Sequence, residues 1–258
     1  MKNPLITSSS NPLIKQARAL RQKKARVESG LFLVEGIHHV GEAFEAGWEI
    51  ETVLYSSGLL TSPFAHDLIS RLSFQPQPVT AQVMESLADK ENPQGIIAVV
   101  HQRKTQLKDV KPFIRAVGLV SPQDPGNVGT ILRTLDAVGV DVLFLLDGGV
   151  EQYHPTVVRA SMGTIFWKPM IQTSFDGFID WAHKGQYQVI GTSAKAELGY
   201  QALDLQTPWI LILGNEQKGL SHEQSAACDV TVSLPMQGRV SSLNLAVAAG
   251  VLLYQFLK

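Results

Sequence analysis

Apolar and polar positions in the first hundred residues alternate between short apolar runs and amphipathic stretches. LFLVEG (31–36), IETVLY (50–55) and GIIAVV (95–100) have the pattern of strands. The stretches between them predict one helix over 11–26, opened by Asn11-Pro12, and further helices over 37–47, 61–72 and 81–89. The pattern therefore predicts a small α/β unit of about a hundred residues.

The polar, basic stretch 101–112 shows no apolar periodicity and marks a boundary, which predicts domains at 1–102 and 113–258 joined by a linker at 103–112. Beyond it the apolar runs are longer and nearly continuous: AVGLV (116–120), DVLFLL (141–146), YQVIG (187–191), WILIL (209–213) and VTVSL (230–234). Strands buried on both faces have this character, so we expect a parallel sheet covered by helices. Ligands of such sheets bind beyond the carboxyl ends of the strands.

The last segment, SSLNLAVAAGVLLYQFLK, is apolar almost all round, with Asn244 as a polar exception. A helix of this kind is buried on every side, either by its own domain or by a partner subunit. The segment therefore favours a homodimer.

Composition excludes several classes of protein. Hydrophobic residues make up 45% and charged residues 17% of the 258 positions, which argues against a disordered chain. No apolar run reaches the ~18 residues of a membrane span, and the start lacks the apolar core of a signal peptide. Cys228 is the one cysteine, and the seven histidines show no metal-ligand spacing. We expect a cytoplasmic protein without metal or membrane contact.

Charge is unevenly distributed along the chain. Residues 1–26 contain no acid, whereas the rest of the chain carries 15 basic against 23 acidic residues. A basic segment on an acidic body suits a polyanionic partner, but a solvated helix face explains the same pattern. The candidate contacts are Lys15, Arg18, Arg21, Lys23, Lys24 and Arg26, with Lys2 in the same segment.

The first candidate loop is followed by a helix, in SPQDPGNVGTILRTLDAVG (121–139). Asp124-Pro125-Gly126 predicts a turn and Asn127 a helix cap. Arg133 lies away from the apolar stripe and leans toward the start of the helix, where an arginine can bind a phosphate. An exposed helical arginine without a ligand remains the alternative.

Two further loops follow predicted strands. LGNEQKGLS (213–221) has the glycine spacing of a phosphate-binding loop, but Leu220 occupies the lysine position of that motif. Ser221 and Gln224 predict a capping box. In LPMQGRVSSLN (234–244), Ser241 or Ser242 is expected to cap the last helix, and no nucleophilic triad is apparent.

Taken together, three segments resemble the SpoU family of RNA ribose 2′-O-methyltransferases, in the SPOUT superfamily. They are NVGTILRT (127–134), ILILGNEQKGLS (210–221) and LPMQGRVSSLNLAVAAG (234–250), in the order found in the family. The stretch SSSNPLIKQARALRQKKARVESGLFLVEG (8–36) looks like the start of the RNA substrate-binding domain that precedes the catalytic domain in many relatives.

The resemblance implies a fold that composition does not show: a parallel-sheet SPOUT domain with a deep trefoil knot, preceded by a smaller α/β, ribosomal-protein-like RNA-binding domain. It implies a homodimer formed by the first-motif and C-terminal helices, and S-adenosylmethionine (SAM) as cofactor. The implied SAM contacts are Gly191, Thr192, Gly214, Asn215, Leu234, Met236, Ser242 and Leu243, and the implied catalytic positions are Asn127, Arg133, Glu216, Ser242 and Asn244.

The resemblance also implies methyl transfer to a ribose 2′-hydroxyl. Because arginine stays protonated at neutral pH, we expect Arg133 to clamp the target's phosphate rather than to act as the base, oriented by Asn127 and Glu216. Ribosomal RNA of the 23S type is the favoured substrate, with transfer RNA as the alternative. A catalytically silent RNA-binding or ribosome-assembly protein on the same scaffold is a further alternative, and conflicts with the intact motif positions.

Overall fold

The structure is a computed structural model that describes residues 3–89 and 92–257. Lys2 of the basic segment lies outside these residues. The helices are α1 (Pro12–Ala19), α2 (Lys23–Ser29), α3 (Ile37–Glu45), α4 (Pro63–Arg71), α5 (Ala81–Leu87), α6 (Pro125–Ala137), α7 (Pro155–Ala160), α8 (Phe175–Lys184), α9 (His222–Ala226) and α10 (Leu245–Gln255). The strands are β1 (Leu31–Glu35), β2 (Ile50–Tyr55), β3 (Gln77–Pro78), β4 (Ile96–His101), β5 (Arg115–Val120), β6 (Val142–Leu146), β7 (Met170–Thr173), β8 (Gln188–Thr192), β9 (Trp209–Leu213) and β10 (Val230–Val232).

The chain divides into two compact units. The first comprises the described residues up to Arg103 together with Tyr153–Phe166, and the second comprises Lys104–Gln152 and the residues from Trp167 onward. The first unit contains a mixed sheet in the order β1-β4-β2-β3. Strand β4 is antiparallel to both β1 and β2, and its residues Ile96 to Val100 are buried in the centre of the unit.

The segment Tyr153–Phe166 falls within the C-terminal domain that the sequence predicts, but the structure places it in the first unit. Its aromatic side chains explain why. The rings of Tyr153 and Phe32 lie 4.5 Å apart, and the Trp48 indole donates a 2.8 Å hydrogen bond to the carbonyl of Phe166. Both partners, Phe32 and Trp48, come from the first hundred residues. A division of the sequence at one boundary therefore could not predict that residues 153–166 belong to the first unit.

The predicted single helix over 11–26 is in fact two helices, α1 and α2, separated by a turn at 20–22. The guanidinium of Arg26 stabilises the break by donating 2.7 Å hydrogen bonds to the carbonyls of Leu20 and Arg21. These carbonyls follow the end of α1, where a helix leaves its last acceptors without an internal partner. A buried cation therefore joins the two helices.

The second unit contains a six-stranded sheet in the order β10-β8-β9-β5-β6-β7, with every pair of neighbours parallel. The predicted parallel α/β fold is confirmed. Strands β5, β6 and β9 are buried almost along their whole length, which agrees with their continuous apolar runs. Strand β7 has no such run, since only Met170 and Ile171 are buried, and the sequence pattern did not predict it.

Helix α10 packs against α6, and its buried residues are Leu245, Ala249, Leu252 and Leu253. The expectation that α10 is buried on every side is not met within one chain. Leu243, Val247, Val251 and Tyr254 remain 40% to 59% exposed. Val247, Val251 and Tyr254 recur at spacings of three or four residues and form one apolar face, which we call the open face of α10, whereas Leu243 precedes the helix.

Candidate functional site

The predicted second and third loops border one cavity of about 420 Å³ at the carboxyl edge of the second sheet. Apolar side chains from the strand ends and from α10 form part of its wall: Leu213, Val232, Leu234, Leu245, Ala248 and Leu252. Polar side chains from the loops complete the lining, among them Ser193, Lys195, Asn215, Gln217, Lys218, Ser241 and Ser242. A ligand with one apolar part and several polar groups suits such a lining.

Gly214 is the position at which the second loop requires glycine. Asn215 and Gly219 exchange backbone hydrogen bonds of 3.2 and 2.8 Å, so the loop closes back on itself immediately after β9. A Cβ atom at Gly214 would lie 2.2 Å from the carbonyl carbon of Gly219. Any side chain at Gly214 would therefore open the loop that borders the cavity.

Asn215 fixes the position of the same loop. Its side-chain oxygen accepts from the backbone N–H groups of Gln217 and Lys218 at 3.0 and 3.1 Å. Its side-chain nitrogen donates to the carbonyl of Ser121 at 2.8 Å. Asn215 thus ties the second loop to the end of the neighbouring strand β5.

Glu216 binds the start of α6. Its carboxylate accepts from the N–H groups of Gln123 and Asp124 at 3.0 and 3.2 Å, and from the side-chain nitrogen of Asn127 at 3.3 Å. A negative charge is stabilised there by the positive end of the helix. The N-cap itself is Asp124, whose carboxylate accepts from Gly126 at 2.7 Å, so the prediction that Asn127 caps the helix is wrong.

Asn127 is buried in the first turn of α6, and its side chain connects all three loops. Its side-chain oxygen accepts from Asn244 at 2.9 Å, while its nitrogen contacts Glu216. Asn244 in turn caps α10 by accepting from Ala246 and Val247, so neither Ser241 nor Ser242 has the capping role expected of it. We call Glu216, Asn127 and Asn244 the carboxamide bridge.

Arg133 is separate from this bridge. Its side chain is exposed, does not line the cavity, and makes no hydrogen bond or ion pair with any described residue. The expected orientation of Arg133 by Asn127 and Glu216 is not found. Six residues along a helix turn the side chain by about 240°, which directs Arg133 away from Asn127.

The expected SAM contacts converge on the cavity with one exception. Thr192, Gly214, Asn215, Leu234, Met236, Ser242 and Leu243 all line it, whereas Gly191 does not. A Cβ atom at Gly191 would meet the sulfur of Cys228 at 2.9 Å, so this glycine serves close packing behind the cavity. The sequence reasoning missed two lysines that line the cavity. Lys195 belongs to a stretch without a recognisable pattern, whereas Lys218 lies within the second motif but not at the lysine position of a phosphate-binding loop.

The residues of the cavity fit SAM in two respects. The backbone N–H groups of Leu234, Met236 and Leu243 donate to no acceptor in the described part of the chain, so they can bind a heterocycle. The apolar wall gives a surface for an adenine ring, and the lining is rich in polar groups for a zwitterionic tail.

Cys228 lies behind the cavity, and its thiol is unreactive at neutral pH. Burial, with a contribution from Asp229, raises the pKa of its thiol to about 12, which keeps the thiolate population small at neutral pH. Within residues 3–89 and 92–257, no cluster of three His, Cys, Asp or Glu side chains could hold a metal ion. No helix in this part of the chain is both long and apolar enough to cross a membrane.

The basic segment separates into three kinds of side chain. Lys15, Lys23 and Lys24 are exposed. Arg18 and Arg21 are half-buried and donate to α5, at the hydroxyl of Ser86 and the carbonyl of Leu87. Arg26 is 1% exposed, so its expected RNA contact is corrected to a structural role.

Comparison with known proteins gives a consistent match over both units. Residues 115–254 match the SpoU rRNA Methylase family, and residues 11–98 match the MRM3-like substrate binding domain. The chain is 31% identical to a 23S rRNA (uridine(2479)-2′-O)-methyltransferase of Streptomyces viridochromogenes, over 96% of this chain and 90% of the relative. It is 29% identical to the 23S rRNA (guanosine(2553)-2′-O)-methyltransferase RlmP of Bacillus subtilis, over 96% and 97%.

Among solved structures, an AdoMet-bound rRNA methyltransferase from Sinorhizobium meliloti superimposes with a TM-score of 0.88 at 33% identity. The match covers 98% of this chain and 96% of that protein. The similarity therefore extends over both units.

Proposed function

The chain belongs to the SpoU rRNA methylase family and is a SAM-dependent RNA ribose 2′-O-methyltransferase, and we propose that its substrate is ribosomal RNA of the 23S type. The observation that carries the catalytic assignment is the carboxamide bridge. It joins residues of the three motif segments beside the cavity that fits SAM. Two relatives named for 23S rRNA support the choice of RNA, and the match of residues 11–98 to an MRM3-like substrate binding domain supports a separate substrate-binding unit.

The cofactor site in this proposal is the 420 Å³ cavity. Bound SAM would supply an electrophilic methyl group on a sulfonium sulfur. The free backbone groups of Leu234, Met236 and Leu243 would hold the adenine, and Ser242 would face the methyl-transfer position from the cavity wall. Gly214 keeps the second loop closed around the cofactor. The trefoil knot implied by the family resemblance remains part of this proposal.

Within the proposed site, Glu216, Asn127 and Asn244 are positioning residues. Their mutual hydrogen bonds hold the second loop, helix α6 and the start of α10 in one arrangement. Such pre-organisation lowers the barrier by holding the reacting groups in place, without any of these side chains exchanging a proton. Ser242 lies two residues before Asn244, so the same bridge sets its position.

Arg133 would act as a cation on the RNA. It is exposed and has no partner within the described chain, so its N–H groups are available to a phosphate. A positive charge beside the target nucleotide favours loss of the 2′-hydroxyl proton by stabilising the developing oxyanion.

A homodimer completes the proposal. The open face of α10 exposes Val247, Val251 and Tyr254 in one stripe, which a soluble monomer rarely leaves uncovered. A second copy of the same face would cover it by two-fold symmetry. We place this enzyme in the cytoplasm, where its proposed rRNA substrate is found.

Nucleotide-resolution mapping of 2′-O-methylation in total RNA tests the function directly. RNA from cells with and without the gene is compared, and we expect one 23S rRNA mark to disappear. Loss of a tRNA mark would instead support the tRNA alternative. If no mark disappears, and no methyl group passes from labelled SAM to RNA of the deletion strain, the proposal is contradicted and a silent RNA-binding protein is favoured.

A further inference from the structure

The first unit contains a second cavity, of about 200 Å³, that the methyl-transfer site does not use. We call it the Glu35 pocket, and its lining includes Arg21, Leu33, Glu35, Ile97, Val158 and Arg159. We propose that the Glu35 pocket binds one unstacked nucleobase of the RNA substrate and prefers a base that carries an amino group. This inference rests on the proposed function, because it takes the ligand to be RNA.

The walls of the pocket provide surfaces on which a base can pack. Leu33 and Ile97 come from the sheet, Leu87 from the end of α5 and Val158 from α7. Their side chains are between 1% and 9% exposed, so they form a rigid apolar wall. At about 30 Å³ for each water molecule, the volume corresponds to roughly seven waters, the scale of one heterocyclic base. Sequence-specific RNA recognition commonly targets unstacked bases of single-stranded segments, which stack on aromatic rings or arginine planes, and Arg21 and Arg159 line this pocket.

Glu35 gives the pocket its expected selectivity. One of its carboxylate oxygens accepts from the N–H of Asp89 at 2.9 Å. The other is buried and has no hydrogen-bond partner in the described part of the chain. A buried oxygen without a donor is unfavourable, so a ligand donor that reached this oxygen would be favoured. The amino groups of adenine, cytosine and guanine are such donors.

Uracil is the poorest match to this carboxylate. Its single N–H donor lies between two carbonyl oxygens, and these would be repelled by the negative charge of Glu35, whereas the Asp89 carboxylate is paired with Arg159. A charge-assisted hydrogen bond from an amino group has no such opposition. The pocket therefore distinguishes bases by an attractive and a repulsive contribution together.

Two arginines are placed to bind the backbone of the same nucleotide. Arg21 donates to the carbonyl of Leu87 and Arg159 to the carboxylate of Asp89, both at 2.7 Å. Each bond uses one guanidinium nitrogen and fixes the direction of the side chain. The other N–H groups of an arginine remain suited to a phosphate. The pocket would thus receive a base within and a phosphate at its rim.

The test measures binding of fluorescein-labelled pentaribonucleotides to the full-length protein by fluorescence anisotropy. The probes are UUUUU, UUAUU, UUCUU and UUGUU at one fixed salt concentration. We expect at least one amino-bearing probe to bind about tenfold more tightly than UUUUU. Equal affinity for all four probes would overturn the proposal.

Two variants locate that preference. Thr156→Trp fills the pocket from α7, and Ala160→Trp is its control because Ala160 lies on the same helix and does not line the pocket. Glu35→Gln replaces one carboxylate oxygen, an acceptor, by an NH2 group, a donor. Glu85→Gln, at an exposed glutamate, is its control. We expect both pocket variants to lose the preference and both controls to keep it. A preference that survives in Thr156→Trp and Glu35→Gln would place the base elsewhere and overturn the proposal.

Competition separates RNA from a free nucleotide. The monophosphates of adenosine, cytidine and guanosine are added to the bound pentamer, and we expect displacement only at concentrations far above that of the unlabelled pentamer. Displacement at equal concentration would assign the pocket to a free nucleotide and overturn the RNA inference. Methylation of RNA by labelled SAM is measured in parallel. If the protein methylates RNA but the pocket variants bind the pentamers as the wild type does, the pocket is refuted and the proposed function stands. If binding depends on the pocket but no RNA is methylated, the proposed function is refuted and the pocket stands.

Discussion

The carboxamide bridge and Arg133 are predicted by the sequence as one catalytic group, yet the structure gives them opposite environments. Every polar atom named in the bridge has a partner inside the chain, from the two carboxylate oxygens of Glu216 to the amide of Asn244. Arg133 has none among the described residues. Groups already paired within the fold position the loops, whereas a charge left open at the surface is available to a substrate. The two kinds of residue should therefore fail in different ways.

Replacement of Arg133 should have the largest effect on activity and almost none on the fold. For Arg133→Ala we expect turnover to fall by roughly 10²–10³-fold, the usual loss on removing one group that stabilises developing charge. The free energy of unfolding and the affinity for SAM should stay at their wild-type values. Single-turnover methylation, urea unfolding and SAM titration measure these quantities.

Arg133→Lys sharpens this prediction because it keeps the charge and removes the planar, two-pronged donor. Partial recovery of turnover would assign the role to charge, and turnover as low as in Arg133→Ala would assign it to bidentate geometry. Wild-type turnover in Arg133→Ala on the mapped RNA would contradict the role altogether.

Replacement of Glu216 should show the reverse pattern. Glu216→Ala leaves two backbone N–H groups at the start of α6 and the amide of Asn127 without their acceptor. We expect the free energy of unfolding to fall by about 1–3 kcal/mol and the affinity for SAM to weaken, because the second loop borders the cavity. Glu197→Ala, at an exposed acid, is the matched control. Unchanged stability with abolished turnover would instead make Glu216 a catalytic residue.

The contrast also explains what the sequence could predict. Parallel strands are marked by continuous apolar runs, and three loops after such strands must meet at one edge, so the cavity and most of its lining were predictable. The choice of Asp124 rather than Asn127 as the N-cap of α6 could not be predicted. Both residue types cap helices, and only the backbone path decides where the helix begins. The break between α1 and α2 depends on hydrogen bonds from Arg26, which charge patterning treats as an exposed cation.

The open face of α10 offers a further comparison with Arg133. Its apolar side chains have no covering partner within the described part of the chain, just as the charge of Arg133 has no ion-pair partner there. Val251→Glu places a carboxylate in the middle of this face, where a dimer would bury it without a partner. We expect the variant to sediment as a monomer while the wild type sediments as a dimer. Gln16→Glu adds the same charge at an exposed position of α1 and should leave the dimer intact. A wild-type monomer at micromolar concentration would remove the homodimer from the proposal.

The basic segment shows the same contrast on a smaller scale, between exposed lysines and the buried Arg26. Lys15→Gln with Lys23→Gln removes two exposed charges, and we expect RNA affinity to fall only a few-fold, with a salt slope shallower by about 0.7–0.9 for each phosphate that is no longer neutralised. The stability of this double variant should equal that of the wild type.

Arg26→Gln should lower the free energy of unfolding, since the carbonyls of Leu20 and Arg21 lose their charged donor. The salt dependence of RNA binding by the folded variant should stay as in the wild type. Filter binding at several salt concentrations measures the salt slope, and urea unfolding measures the stability of each variant. If Arg26→Gln reduced the salt slope as much as a lysine substitution does, its guanidinium would have to reach the RNA, and the assignment of charge by burial would be wrong for this segment.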